Sequence, residues 1–189
     1  MENLKYYSKE YWDERYMKTD GNYDWYMCAD SLVKLFDNIL EPTYKILNVG
    51  CGNSKLGEKL YNMGFNNNNV YNLDFSKIIL EKMYKKYKDY NMRWVHQDIV
   101  EAKKLKTNTF DIVIDKATLD TISCQSYELT SKAFNHIIRI LKVGGIFVLI
   151  TNNPDILNYC DLDSIDIIDT KKILHNENNI FIHILQKKY

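Results

Sequence analysis

The chain has 189 residues, 25 lysines and arginines against 25 acids, and 46% hydrophobic residues, which fits one soluble domain (1–189) with a substantial core and argues against a second. No apolar run approaches the roughly 18 residues of a membrane span, and the N-terminus lacks the apolar stretch of a secretory leader, so a cytoplasmic protein that avoids membranes is expected. Cys28, Cys51, Cys124 and Cys160 stand far apart with no Cys-x-x-Cys pair. That argues against a zinc site or a disulfide framework, the balanced charge argues against a nucleic-acid binder, and a metal-free monomer is expected.

Residues 5–26 are dense in aromatics: Tyr6, Tyr7, Tyr11, Trp12, Tyr16, Tyr23, Trp25 and Tyr26. Tyr11, Trp12, Arg15 and Tyr16 recur at helical spacing and share one face. Two readings fit this segment, a helix clamped on the core and a lid whose rings close over a ligand. Gly21-Asn22 marks a turn. Asp30 or Ser31 is placed to cap a helix through Leu32, Leu35, Phe36, Ile39 and Leu40, which Pro42 ends. Residues 1–40 therefore read as an N-terminal lid and helix, and residues 44–189 as the core.

The stretch Ile46-Leu47-Asn48-Val49-Gly50-Cys51-Gly52-Asn53-Ser54 organises the rest of the chain. Ile46, Leu47 and Val49 read as a short buried strand, and Gly50 and Gly52 stand where it must turn into a helix over 55–63. Without a Cβ, those glycines can take positive φ and let the backbone approach a bound molecule. The helix points its free N–H groups back at the turn, which suits a ligand rich in oxygens. Gly64 is placed to end that helix, the run Asn66-Asn67-Asn68-Asn69 reads as a polar loop, and residues 70–73 make a second strand ending at Asp74.

An acid about twenty residues past such glycines, at the end of the next strand, can accept both hydroxyls of a ribose. A helix cap is the plainer role for it, although Ser76 can cap the amphipathic helix over 76–90 instead. The basic stretch over 82–88 reads as that helix's solvated face. Residues 92–96 alternate as a third strand before Gln97-Asp98-Ile99. There Asp98 either accepts an adenine amine, with the Ile99 N–H serving a ring nitrogen, or caps a turn. Residues 110–114 form a buried strand, 127–141 a helix, and 146–150 a strand after Gly144-Gly145. Two late strands, 165–168 and 180–185, flank a polar turn over 175–179 and predict an antiparallel hairpin. The fold class is therefore α/β, Rossmann-like, with a mostly parallel seven-stranded sheet, a C-terminal antiparallel hairpin and an aromatic helical lid.

A dinucleotide needs a third glycine under its pyrophosphate, where this chain has Lys55. S-adenosylmethionine lacks phosphate and carries a sulfonium, so carboxylates and aromatic faces suit it better. Spacing and composition favour it over a nicotinamide dinucleotide and leave the latter as the alternative.

The strings Glu10-Tyr11-Trp12-Asp13-Glu14-Arg15-Tyr16, Tyr23-Asp24-Trp25-Tyr26, Gly50-Cys51-Gly52-Asn53-Ser54 and Asp115-Lys116-Ala117-Thr118-Leu119-Asp120 resemble successive motifs of one group of class I S-adenosylmethionine-dependent methyltransferases. These are the elongation factor 1A lysine methyltransferases related to the endothelin-converting-enzyme-2 locus product and to methyltransferase-like protein 13. The resemblance covers about residues 11–149. It implies that Trp12, Tyr16, Trp25 and Gly50, with Gly52 of the same turn, hold the donor S-adenosyl-L-methionine and its product S-adenosyl-L-homocysteine. Asp74 with Phe75, Asp98 with Ile99, and Lys116 complete the implied set. Ala117 replaces a usual glycine, Thr151-Asn152-Asn153-Pro154-Asp155 replaces a Pro-His-Phe-Arg-like segment, and Asn48 stands where methyltransferases in general carry an acid.

A protein lysine amine, as in elongation factor 1A, is the expected methyl acceptor, reached by in-line displacement. Asp120 and Asp115 are the candidates for orienting that amine, and each also reads as a turn residue. A small-molecule acceptor and a partner-binding domain without chemistry are the competing functions. The Asn-Pro-Pro-Tyr type string of DNA adenine methylation is absent after the fourth strand.

Overall fold

Short apolar runs bounded by turn residues become the strands of one sheet. The computed structural model describes residues 6–36, 41–175 and 177–189. Its strands β1 (Ile46–Val49), β2 (Val70–Asp74), β3 (Arg93–His96), β4 (Phe110–Lys116), β5 (Leu141–Thr151), β6 (Ile165–His175) and β7 (Asn178–Lys187) lie in the order β3-β2-β1-β4-β5-β7-β6. β1 to β5 pair in parallel, whereas β7 runs antiparallel to both β5 and β6. The expected layout, a parallel sheet closed by a terminal hairpin, is what forms.

Alternation along each strand divides the core between the two faces of the sheet. Ile46, Ile112, Ile114, Val148 and Ile150 face helices α1 (Lys9–Lys18), α2 (Ala29–Val33), α3 (Leu56–Asn62) and α4 (Lys77–Lys86). Leu47, Val49, Val113, Phe147 and Leu149 face α5 (Thr118–Ser123) and α6 (Tyr127–Ile140), where Phe134 and Ile137 are fully buried. α3 lies close on β2 because Gly57 presents no side chain: a Cβ there would stand 2.7 Å from the Asn72 amide oxygen. The strand order reverses between β2 and β4, the two neighbours of β1, so a crevice opens at the carboxyl ends of β1 and β4.

Several boundaries differ from the sequence expectation. α2 is capped at Cys28 rather than at Asp30 or Ser31, and a 3₁₀ turn (Lys34–Phe36) follows it. Ile39 and Leu40 lie outside the described residues. α4 ends at Lys86, four residues early, because Tyr87 leaves the helix to bury its ring. β5 starts at Leu141, before the glycine pair. Both hairpin strands are also longer than expected, since the outer strand β6 exposes polar residues that read as loop.

β4 passes into α5 through Ala117, whose φ is +75° although it carries a Cβ. That region costs an L-residue about 1–2 kcal/mol, of which glycine's extra freedom in the unfolded chain offsets part. Ala117→Gly is therefore expected to raise stability by about 0.5–1 kcal/mol in urea unfolding; an unchanged or lower midpoint would show that the local backbone is not strained.

Candidate active site

The turn after β1 is held from three sides. Gly50 and Gly52 have φ of +56° and +49°, and the space where their side chains would be is taken. A Cβ on Gly50 would stand 2.0 Å from Thr118 Oγ1, and one on Gly52 2.9 Å from the Tyr16 hydroxyl. Thr118 Oγ1 in turn donates to the carbonyl of Val49 at 3.1 Å, so the start of α5 rests on the end of β1. Asp74, at the end of β2, accepts from the Gly52 N–H and the Ser76 N–H, each at 2.9 Å. The residue is 3% exposed, and burial lifts its pKa to about 6 against the pull of those N–H donors.

Beside this turn lies a cavity of about 1060 Å³, the solvent at its open mouth included. Gly50, Gly52, Asp74 and Phe75 line it on the sheet side, with Asp98 and Ile99 beyond the end of β3. Trp12, Tyr16 and Trp25 form the opposing wall, and Lys116 closes the side next to β4. All ten residues expected to hold a donor are thus drawn to one cavity. Asp98 also does the plainer job anticipated for it, since its Oδ1 caps the 3₁₀ turn Ile99–Glu101 by accepting from the Val100 N–H at 2.8 Å.

The aromatic wall is pinned by polar contacts to the core. Ser8 caps α1, and the carboxylate of Asp13 receives the Ser76 hydroxyl. Lys82 on α4 donates to the carbonyl of Tyr16 at 2.6 Å. Farther along, Asn22 donates to the carbonyl of Asn53 at 2.8 Å, and Asn53 returns a bond to the carbonyl of Gly21 at 2.6 Å. Asp24 makes the deepest link: it accepts from the Ser54 hydroxyl and pairs with the Lys116 ammonium at 2.6 Å. Burial pushes the Lys116 pKa below its ordinary value, and the Asp24 charge opposes that. Asp24 was not singled out by the sequence. The signal was there, because an acid between Tyr23 and Trp25 needs a partner, but that partner lies 92 residues away.

The two acids considered for amine orientation are differently placed. Neither lines the cavity. Asp115 is fully buried, and its carboxylate caps α5, accepting from the N–H groups of Thr118 and Leu119 at 3.0 and 3.2 Å. Asp120 joins three elements. It accepts from the Tyr26 hydroxyl at 2.6 Å, from the Thr151 hydroxyl at the end of β5, and from the Asn152 N–H at 3.3 Å. Burial pushes its pKa up against those donors. Tyr26 was also missed as a site residue, and its φ of +64° is rare for a bulky side chain.

A family profile described as a methyltransferase domain matches residues 40–188. The chain belongs to the methyltransferase domain family. Among curated members, the mouse protein "EEF1A lysine methyltransferase 4" is 31% identical over 163 residues, covering 79% of this chain and 63% of that protein. Mouse "eEF1A lysine and N-terminal methyltransferase" is 28% identical over 152 residues, covering 76% of this chain and 21% of that protein. This methyltransferase-domain chain therefore spans less than two thirds of the first relative and about a fifth of the second. The N-methyltransferase NodS of Bradyrhizobium japonicum, solved with S-adenosyl-L-homocysteine, superposes with a TM-score of 0.77 at 12% identity, covering 94% and 97% of the two chains. A TehB-like methyltransferase of Corynebacterium glutamicum gives 0.70 at 19% identity, covering 95% and 98%. At these identities both establish the fold alone.

Removing one partner of a buried ion pair strands the other charge and costs about 3–5 kcal/mol. Asp24→Ala is expected to lose stability in that range, and Asp24→Ala combined with Lys116→Met to recover most of it, both read by urea unfolding. Equal stability of Asp24→Ala and the wild type would mean that the pair does not hold the segment to the sheet.

Proposed function

We propose that this chain transfers a methyl group from S-adenosyl-L-methionine to a lysine amine of a protein, with elongation factor 1A the substrate its relatives' names indicate. The observation that carries the donor is a single cavity bounded by a glycine turn, two strand-end carboxylates and an aromatic wall. Its chemistry fits the group. The two glycines of the turn present no side chain and admit close backbone approach, while the carboxylates of Asp74 and Asp98 accept hydroxyls and an amine. The faces of Trp12, Tyr16 and Trp25 tolerate positive charge. Phe75 and Ile99 add apolar surface, and Lys116 reaches the cavity from β4.

When bound, S-adenosyl-L-methionine supplies a methyl already activated on a sulfonium, which leaves the protein the tasks of positioning and dehydration. An acceptor lysine must arrive neutral, and desolvation against apolar surface lowers its pKa. Asp120, whose carboxylate is held by Tyr26, Thr151 and Asn152 outside the lining of the cavity, is assigned the orienting of the amine. Asp115 is assigned a positioning role instead, since its carboxylate is spent on the start of α5. The finer expectations carry into this reading as well: a cytoplasmic monomer that meets a protein rather than a nucleic acid or a membrane. No helix among the described residues is long and apolar enough to cross a membrane.

A small-molecule acceptor is the second reading, favoured by the Thr151-Asn152-Asn153-Pro154-Asp155 segment in place of the relatives' pattern. Transfer of labelled methyl from S-adenosyl-L-methionine into a cell extract separates the two. Label in a protein band, abolished by blocking lysines beforehand, is expected. Label confined to small molecules would contradict the lysine assignment.

Asp74 gives the donor reading a pH signature. Its native pKa, about 6, lies above the ordinary 3.8, so the native state binds the proton more tightly than the unfolded chain. Stability from this group is fullest below pH 3.8 and is lost as pH rises through 6. Ligand binding has the opposite dependence, because the ionised carboxylate is the better acceptor. Calorimetry should show S-adenosyl-L-methionine affinity falling as pH drops through about 6. Asp74→Asn should bind about 10- to 100-fold more weakly at neutral pH, the range for hydrogen bonds to charged groups, with the pH dependence flattened. A wild-type affinity that is level from about pH 5 to 8 would remove Asp74 from the donor contacts.

A further inference from the structure

We propose that Arg15 is the seat of the donor's α-carboxylate, an inference that rests on the methyl-donor reading above. S-adenosyl-L-methionine and its product both end in an amino-acid tail, and that tail's carboxylate needs a cation inside the cavity. Among the described residues only two cationic side chains line it, Arg15 and Lys116. The Lys116 ammonium is already committed, to Asp24 at 2.6 Å and to the carbonyl of Met27 at 3.4 Å.

Arg15 has no such commitment. None of the ion pairs among the described residues includes it. Its guanidinium carbon stands 5.5 Å from the Trp12 ring, 5.0 Å from Tyr23 and 5.8 Å from Trp25. Three ring faces thus fix the position of the charge, and among the described residues no carboxylate pairs with its N–H edge. Of the five donors a guanidinium carries, one reaches the Tyr11 hydroxyl, at 3.3 Å.

A planar fork with open donors, held in place and partly dehydrated by aromatic walls, is the geometry for a two-point bond to a carboxylate. The charges of the cavity are then divided. Asp74 and Asp98 serve the adenosine part, Arg15 serves the carboxylate at the other end, and the Asp24–Lys116 pair holds the wall that carries Arg15. The sequence pattern alone gave Arg15 only a place on the aromatic face of α1.

The test uses the full chain and two probes that differ only in the tail: S-adenosyl-L-homocysteine, and 5′-methylthioadenosine, which keeps the adenosine and sulfur but has no amino-acid group. Calorimetry of Arg15→Gln is expected to show about 10- to 100-fold weaker S-adenosyl-L-homocysteine binding, the range for a hydrogen-bonded charge, with 5′-methylthioadenosine affinity unchanged within about twofold. Arg15→Lys, which keeps the charge and serves if the glutamine variant fails to fold, should lie between wild type and Arg15→Gln for the first probe and leave the second unchanged. Equal weakening for both probes would assign Arg15 to the aromatic wall alone and overturn the proposal, as would no weakening for either. A wild-type chain that binds neither probe would instead overturn the donor reading beneath it.

Discussion

One buried carboxylate joins the two halves of the molecule. Asp24 lies in a segment that belongs to no strand of the sheet, yet it receives the Ser54 hydroxyl from the glycine turn and pairs with Lys116 at the end of β4. Through those two contacts the aromatic segment is tied at once to the first and fourth strands, between which the crevice opens. The pair is 7% and 15% exposed at its two side chains, so water screens it little and the cost of separating it is high. Once Asp24 is held, its neighbours fall into place. Tyr23 and Trp25 flank Arg15, Tyr26 is turned toward Asp120, and Tyr16 of α1 comes down over Gly52.

The same region collects the molecule's unfavourable local choices. Tyr26 and Ala117 hold left-handed backbone despite their side chains, and Asp74, Asp115 and Asp120 are buried acids whose pKa values burial drives upward. Left-handed backbone under a side chain and the burial of a charge each cost the fold stability. The two packed faces of the sheet supply the stability that lets such features persist. Three of them also have an identifiable local consequence: Ala117 aims α5, Asp115 fixes where that helix begins, and Asp74 ties the glycine turn to the second strand.

Much of this was legible in the sequence, and the reason differs from part to part. The parallel core reads well because strands buried on both faces are continuous apolar runs, as in Ile112, Val113 and Ile114, and the glycines at 50 and 52 announce their own turn. The terminal hairpin was recognised but underestimated. β6 is an edge strand facing water, so Asp169, Lys171 and Lys172 look like loop residues although the backbone pairs on both sides of an irregularity at Ile168. The α2 boundary was misplaced because Asp30 and Ser31 are both good caps by type, and the choice of Cys28 depends on how the chain arrives from Trp25 and Met27. At the site, residues tied to a local motif were legible as candidates: Asp74 ends β2 at a set distance from the glycines, Asp98 follows β3, and both line the cavity. Residues whose role depends on distant partners were not. Asp24 needs Lys116, and Tyr26 needs Asp120 and Asn152, partners so far along the chain that no local pattern encodes them.

That the aromatic N-terminal segment and the glycine turn form one ligand-binding unit is tested most directly by hydrogen exchange of the full chain, with and without S-adenosyl-L-methionine. A single unit predicts that the ligand slows exchange together in α1, in residues 20–26 and in the turn at 50–54, by the same factor within error. Protection confined to the turn and to the ends of β2 and β3, with the N-terminal segment exchanging as before, would contradict it and leave the aromatic residues as packing for the core.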